Sequence, residues 1–183
     1  MRICLSSAVL LSLALALPVL QAGGDKVEPG FTPLFNGKNF DGWKTKKGGE
    51  ALDGKTEALK GRFKAVDGKL IIDPKVGGDV IIETVKELSK DAVIKFDFLP
   101  GDKCNNDLFF RGIKFDIVAK QLKNVKDGEW NQLEIISKGD TVEYKCNGKL
   151  ERSVKGKGDK STFGLRAEFG AIEIKNWRFK EGS

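Results

Sequence analysis

Val93-Ile-Lys-Phe-Asp-Phe-Leu99 alternates with a period of two. Ile94, Phe96 and Phe98 fall on one side of an extended chain, Lys95 and Asp97 on the other, the pattern of a half-buried β-strand. The pattern repeats in both directions from this stretch. Upstream, Phe63–Val66 and Leu70–Ile72 flank Asp67-Gly68, a strong hairpin dipeptide, and Val80–Thr84 is a further apolar run. Downstream come Leu108–Arg111 and Ile113–Val118. Leu133 and Ile135 then alternate with Gln132 and Glu134, and Val142, Tyr144 and Cys146 with Glu143 and Lys145. Asn147-Gly148 reads as the next turn, and Phe163, Leu165 and Ala167 alternate with Gly164, Arg166 and Glu168. No long segment has helical periodicity. Lys44–Gly61, rich in lysine and glycine, carries a short echo (EALDGK, EALKGR) and reads as a long loop with room for a helical turn. Strands this short and regular predict an all-β fold, an antiparallel two-sheet jelly-roll sandwich.

The last strand carries a break in parity. Ile172 and Ile174 share one side, whereas Trp177 and Phe179 have the other. A residue inserted near Lys175 and Asn176, a β-bulge, would bring all four to the core.

The N-terminus reads differently. Arg2 precedes an almost wholly apolar run from Ile3 to Val19, and the first acid is Asp25. This is the layout of a secretory leader, expected to span residues 1–22 with cleavage after Ala22, followed by a polar linker at 23–30 and the sandwich at 31–183. The expected location is secreted or periplasmic, with no membrane attachment once the leader is lost. Loss of the leader removes Arg2 and lowers the formal charge from +6 to +5. The lysines are spread along the chain, with no arginine-rich run, zinc-finger spacing or RNA-binding signature, so nucleic acid is not an expected partner. The glycines sit mainly in turn dipeptides, and neither G-x-G-x-x-G nor a P-loop occurs.

Histidine is absent, which excludes Ser-His-Asp and Cys-His catalysis and any histidine-ligated metal. Acid–base chemistry would fall to Asp, Glu, Lys, Tyr or water. Beyond the leader two cysteines remain, Cys104 and Cys146, and an exported protein can join such a pair. Sequence does not supply the Cα separation that a bridge requires.

Five segments resemble the 3-keto-disaccharide hydrolase domain family. They are FTPLFNGKNFDGW (Phe31–Trp43), FKAVDGKLI (Phe63–Ile71), NNDLFFRG (Asn105–Gly112), EWNQLEIISKGDTVEYKCNGK (Glu129–Lys149) and FGLRAEFGAIEIKNWRFK (Phe163–Lys180). They keep the family's order and span nearly all of the chain beyond the leader. The resemblance implies a concanavalin-like or laminin-G-like jelly roll, export, and an oxidised sugar or glycan as partner. It also implies hydrolysis of 3-keto-glycosides by proton abstraction next to the ketone. A ketone at carbon 3 acidifies the proton on carbon 2; a base removes it, a cation holds the enolate, and the anomeric group leaves. That chemistry calls for no cofactor and no metal. Two departures stand out. Where the family often carries Asp-His-Gly, this chain has Ala167, Glu168 and Phe169, with Gly170 following, and Lys114 and Asp116 stand where an acid and an amide are common.

Strand parity nominates the polar side chains that avoid the core. Glu134, Glu168 and Asp116 are candidates for the base, and Arg111, Arg166 and Lys114 for holding substrate. The competing reading of these charges is a solvated sheet face laced with cross-strand ion pairs. Trp43, Trp130 and Trp177 could stack on sugar rings, although tryptophans in sandwiches more often pack the core. A non-catalytic carbohydrate-binding module and a purely structural sandwich are the alternatives to the enzyme.

Overall fold

A computed structural model of the chain describes residues 27–118 and 120–182. The leader and the first half of the linker lie outside the described residues. Among the described residues the chain forms sixteen strands and no helix. They are β1 (Thr32–Pro33), β2 (Trp43–Thr45), β3 (Glu57–Ala58), β4 (Phe63–Val66), β5 (Lys69–Ile72), β6 (Val80–Thr84), β7 (Leu88–Ser89) and β8 (Ala92–Pro100). The second half comprises β9 (Asn105–Phe110), β10 (Ile113–Val118), β11 (Asn131–Lys138), β12 (Thr141–Cys146), β13 (Lys149–Lys155), β14 (Lys160–Ser161), β15 (Gly164–Phe169) and β16 (Ile172–Glu181).

All pairings are antiparallel, and apart from a two-stranded ribbon of β7 and β14 they build the two layers of a jelly-roll sandwich. The larger sheet runs β13-β12-β11-β8-β16-β5-β4-β3, with β1 also on β16; the smaller runs β10-β9-β15-β6-β2. The strand read first, β8, is central to the larger sheet, between β11 and β16. Its Ile94, Phe96 and Phe98 are fully buried, as alternation requires. The chain changes layer between β8 and β9, returns after β10, and crosses again before and after β15. The smaller sheet is therefore assembled from segments far apart in sequence. Two-residue turns at Asp67-Gly68, Arg111-Gly112 and Asn147-Gly148 have positive φ at both residues, the backbone that matches strand twist.

One continuous cluster of apolar side chains fills the space between the sheets. Trp177 stands at its middle, its ring 4.9 Å from Phe96, 5.2 Å from Trp43 and 5.5 Å from Phe163. Phe115 of β10 stacks on Tyr144 of β12 at 4.1 Å, tying the two layers together at another point. The expected bulge is present. The register of β16 against β8 shifts between Lys175 and Arg178, Asn176 has φ 54°, and Ile172, Ile174, Trp177 and Phe179 are all buried. The bulge also divides the far edge of β16, whose first half pairs with β5 and whose second half pairs with β1.

One detail differs from the sequence reading, and one that sequence left open is decided. Lys44–Gly61 is not wholly loop: it contains the end of β2 and all of β3, and its tight turn is left-handed, through Leu59, Lys60 and Gly61. Cys104 and Cys146 are free thiols. Cys104 precedes β9 of the smaller sheet and points its Sγ at the Ile117 carbonyl (3.5 Å), while Cys146 ends β12 of the larger one. Burial pushes both thiols up to about 11, with a hydrogen bond from Asn106 opposing the shift at Cys104. Neither should react with iodoacetamide at pH 8 until the protein is unfolded, and a reductant should leave the melting temperature unchanged. Mass spectrometry of the alkylated protein checks the first point; modification of either thiol at the rate of an exposed one would contradict it.

Candidate functional site

On the smaller sheet the core-facing residues of β9 are Asn106, Leu108 and Phe110, so Asn105, Asp107 and Phe109 take the outer face. Lys114 and Asp116 of β10 and Arg166 and Glu168 of β15 have the same orientation. Asp107 is the hub. It pairs directly with Asp116 across the β9–β10 ladder and with Arg166 across the β9–β15 ladder. Arg166 Nη1 donates to Asp107 Oδ2 at 2.7 Å, and its Nε and Nη2 hold both oxygens of Asp79 at 2.6 Å. Nη2 also stands 3.3 Å from Glu168 Oε1. Lys114 Nζ lies 2.5 Å from Asp116 Oδ1 and 3.7 Å from Asp107 Oδ1.

The two aspartates differ in environment. The Asp107 side chain is inaccessible to solvent, whereas that of Asp116 is 40% exposed. Burial, then a hydrogen bond with Asp116, pushes the Asp107 carboxyl up to about 6, against the pull of Arg166. Burial also raises Asp116, but hydrogen bonds from Lys114 and Asp107 outweigh it, and its carboxyl stays below the usual range. With both groups ionised, Asp107 Oδ1 accepts no hydrogen bond from the protein. A proton held on Asp107 and shared with Asp116 removes that deficit. Below about pH 6 the pair is thus a carboxyl–carboxylate couple, buried at Asp107 and open to solvent at Asp116, in which neighbouring like charges push two pKa values apart.

The site joins four of the six residues nominated from sequence: Lys114, Asp116, Arg166 and Glu168. Glu134 is elsewhere. It lies on β11, on the outer face of the larger sheet, 3.2 Å from Lys95, which also meets Glu28. Parity assigns a face within a sheet but not which sheet, and the sandwich core separates Glu134 from Glu168. Glu134→Gln should leave any turnover unchanged and cost at most about 1 kcal/mol, the usual worth of such a pair; a large loss of activity in a steady-state assay would restore it to the site. Arg111 is not on the outer face either. It sits in the β9–β10 turn, 2% exposed, where its guanidinium donates to the carbonyls of Gly139 and Gly158 and to Ser137 Oγ. It is a buried structural cation, and Arg111→Ala should destabilise the fold by about 2–3 kcal/mol in urea unfolding.

Asp107 was missed because it lies inside Asn105–Phe110, where polar residues precede an apolar run and parity is hard to see. The available signal was an acid flanked on both sides by strand residues and opposite in phase to Leu108 and Phe110. Trp43 and Trp177 belong to the core, and half-buried Trp130 lies under the Lys175 ammonium at 4.3 Å, so none of the three tryptophans marks this site. Beside Asp107, the face ends at a cleft of about 510 Å³ between segments 100–105 and 118–128, with Asn105 and Val118 in its wall. No group of three or more Cys, Asp or Glu side chains among the described residues is arranged to hold a metal ion.

These features define an antiparallel jelly-roll sandwich with a partly buried carboxylate couple on the outer face of one sheet. Solved structures share the fold. An inferred glycosyl hydrolase from Parabacteroides distasonis superposes with a TM-score of 0.67 at 19% identity, over 84% of this chain and 95% of that one. A carbohydrate-binding module from Bacillus subtilis gives 0.54 at 17%, over 79% and 98%, and a Bacillus licheniformis β-glucanase 0.55 at 9%, over 88% and 100%. No curated protein matches the sequence. The chain belongs to the 3-keto-alpha-glucoside-1,2-lyase-like domain family, whose model matches residues 30–124, a stretch that includes Asp107, Lys114 and Asp116.

Proposed function

We propose that the protein is an exported hydrolase of 3-keto-glycosides, and that the Asp107–Asp116 couple beneath Lys114 and Arg166 is its acid–base centre. The observation that carries this reading is the couple itself: a fully buried Asp107, held by Arg166, stands directly opposite an exposed Asp116 that meets the Lys114 ammonium. Membership of the 3-keto-alpha-glucoside-1,2-lyase-like domain family supports this substrate class.

In this mechanism Asp116 takes the proton from carbon 2 of the 3-keto sugar. The electrons pass to the ketone oxygen as an enolate, which the Lys114 ammonium stabilises; fixed cations act strongly where water is partly excluded. The enolate then collapses, the bond from carbon 1 to the glycosidic oxygen breaks, and that oxygen takes the proton that Asp116 had removed. Water adds to carbon 1 of the resulting enone and a proton returns to carbon 2. The net products are the free 3-keto sugar and the alcohol. Arg166, committed to Asp79, Asp107 and Glu168, is the positioning residue.

The test is incubation of the purified mature protein with a panel of 3-keto-disaccharides, read by release of the two sugars. Turnover that Asp116→Asn abolishes would sustain the proposal. Saturable sugar binding without turnover would establish the binding-module reading instead, which the lack of histidine and the ion-paired state of the cluster favour. N-terminal sequencing of protein recovered outside the cytoplasm should begin near Gly23; retention of Met1 would refute export by leader cleavage.

A further inference from the structure

Phe169 is the most exposed large apolar side chain among the described residues, at 62%. A single exposed apolar residue needs no explanation by itself. The way the backbone presents this one does. The register of β15 against β9 shifts between Arg166 and Phe169, so that Phe169 comes opposite Asn105. The peptide groups of this bulge are held by buried polar side chains from other segments. Asn106, fully buried, accepts from Glu168 N at 3.0 Å and donates to Phe169 O at 3.2 Å. Arg62, 2% exposed, donates to Glu168 O at 2.9 Å. Behind it Gly170, with φ 68°, packs so closely on Lys103 that a Cβ would come within 2.5 Å of the Lys103 carbonyl. Buried amide and guanidinium groups are costly to leave unsatisfied, so their hydrogen bonds lock the bulge in place. The result is a rigid mount for an aromatic ring directed away from the core.

The surroundings specify what the ring meets. Asn105, its strand partner, lies two residues from Asp107 on the same face of β9, a distance of roughly 7 Å. Asn105 also lines the 510 Å³ cleft, whose wall includes the polar side chains of Lys103, Lys120, Gln121 and Asp127. An apolar platform beside a cleft of donors and acceptors is the chemistry that recognises a pyranose ring, which has a C–H face and a hydroxyl rim. We infer that Phe169 stacks on a second sugar ring of the glycan and, with this cleft, forms a subsite next to the one occupied at Asp116. The inference rests on the glycan site proposed above, but on its binding and not on its catalysis.

The test is isothermal titration of the mature protein with unoxidised α- and β-linked glucose disaccharides and trisaccharides. The wild type should bind at least one trisaccharide saturably, with perturbed ring resonances of Phe169 in a phenylalanine-labelled sample. Phe169→Ala should weaken that binding at least tenfold with an unchanged melting temperature, since the side chain is exposed, and Phe169→Trp should restore it. Equal affinity of wild type and Phe169→Ala, or no binding of any sugar in the panel, would overturn the subsite. Phe169-dependent binding without turnover of keto-sugars would remove the hydrolase reading and leave the subsite intact.

Discussion

Trp177→Ala should lower stability by about 3–5 kcal/mol in chemical denaturation, the range for emptying a large aromatic site in a core. The magnitude follows from position. Trp177 is 1% exposed and lies against Phe96, Trp43 and Phe163, which come from both sheets. Its removal opens a void bounded by other rings held on different strands, and such a site closes up poorly. The backbone at this point serves the fold as well, because the Trp177 carbonyl accepts the amides of Leu34 and, at longer range, Phe35, and thereby holds the segment after β1. Trp177→Phe keeps an aromatic group and should lose distinctly less. If the alanine variant is too unstable to purify, the phenylalanine variant still reports. A loss below about 1 kcal/mol for alanine would mean that the register of β16 is wrong and that the bulge does not exist.

The bulge shows how far sequence reaches. Two apolar pairs of opposite parity, only residues apart, admit few solutions when one face must be buried, and the inserted residue at Asn176 is the one observed. The central strand β8 and the turns at Asp67-Gly68 and Asn147-Gly148 were legible for the same reason: local chemistry decides them. The site was legible only in part, because it is a product of long-range pairing. Lys114, Asp116, Arg166 and Glu168 converge since β10, β9 and β15 are neighbours, and neither composition nor period states that β15 returns to β9 across more than fifty residues. Glu134 and Glu168 gave identical local signals and lie on different sheets. Arg111 had the right parity but occupies a turn, where parity stops assigning faces and the long side chain folds back over Gly139 and Gly158. Asp107, the residue around which the others gather, looked like one more polar residue before an apolar run.

That residue makes the chemistry testable through pH. Asp116→Asn should reduce turnover of a 3-keto-disaccharide by about 10²–10⁴-fold, the usual contribution of a positioned general base. In the wild type the rate should climb as pH rises through about 6, where Asp107 loses its proton. Below that point Asp107 donates to Asp116 and weakens it as a base; above it, a second negative charge beside Asp116 strengthens its hold on a proton. Asp107→Asn imitates the protonated state permanently. It should lower the rate at neutral pH and erase the rise near 6, an effect on the pH profile that loss of structure alone would not produce. The same variant has a thermodynamic signature. The Asp107 carboxyl titrates near 3.8 when unfolded and near 6 when folded, so between those values the folded state holds a proton that the unfolded state has released. Through this group stability therefore falls with rising pH across that window and stays reduced above it. Asp107→Asn removes this group's part of the fall, so the variant should gain on the wild type between pH 4 and pH 7 in thermal melts. Such a gain, together with a flattened rate profile, would mark Asp107 as a residue kept for function at a cost in stability. Full activity of Asp116→Asn combined with Glu168→Gln would show that the couple is not the acid–base centre.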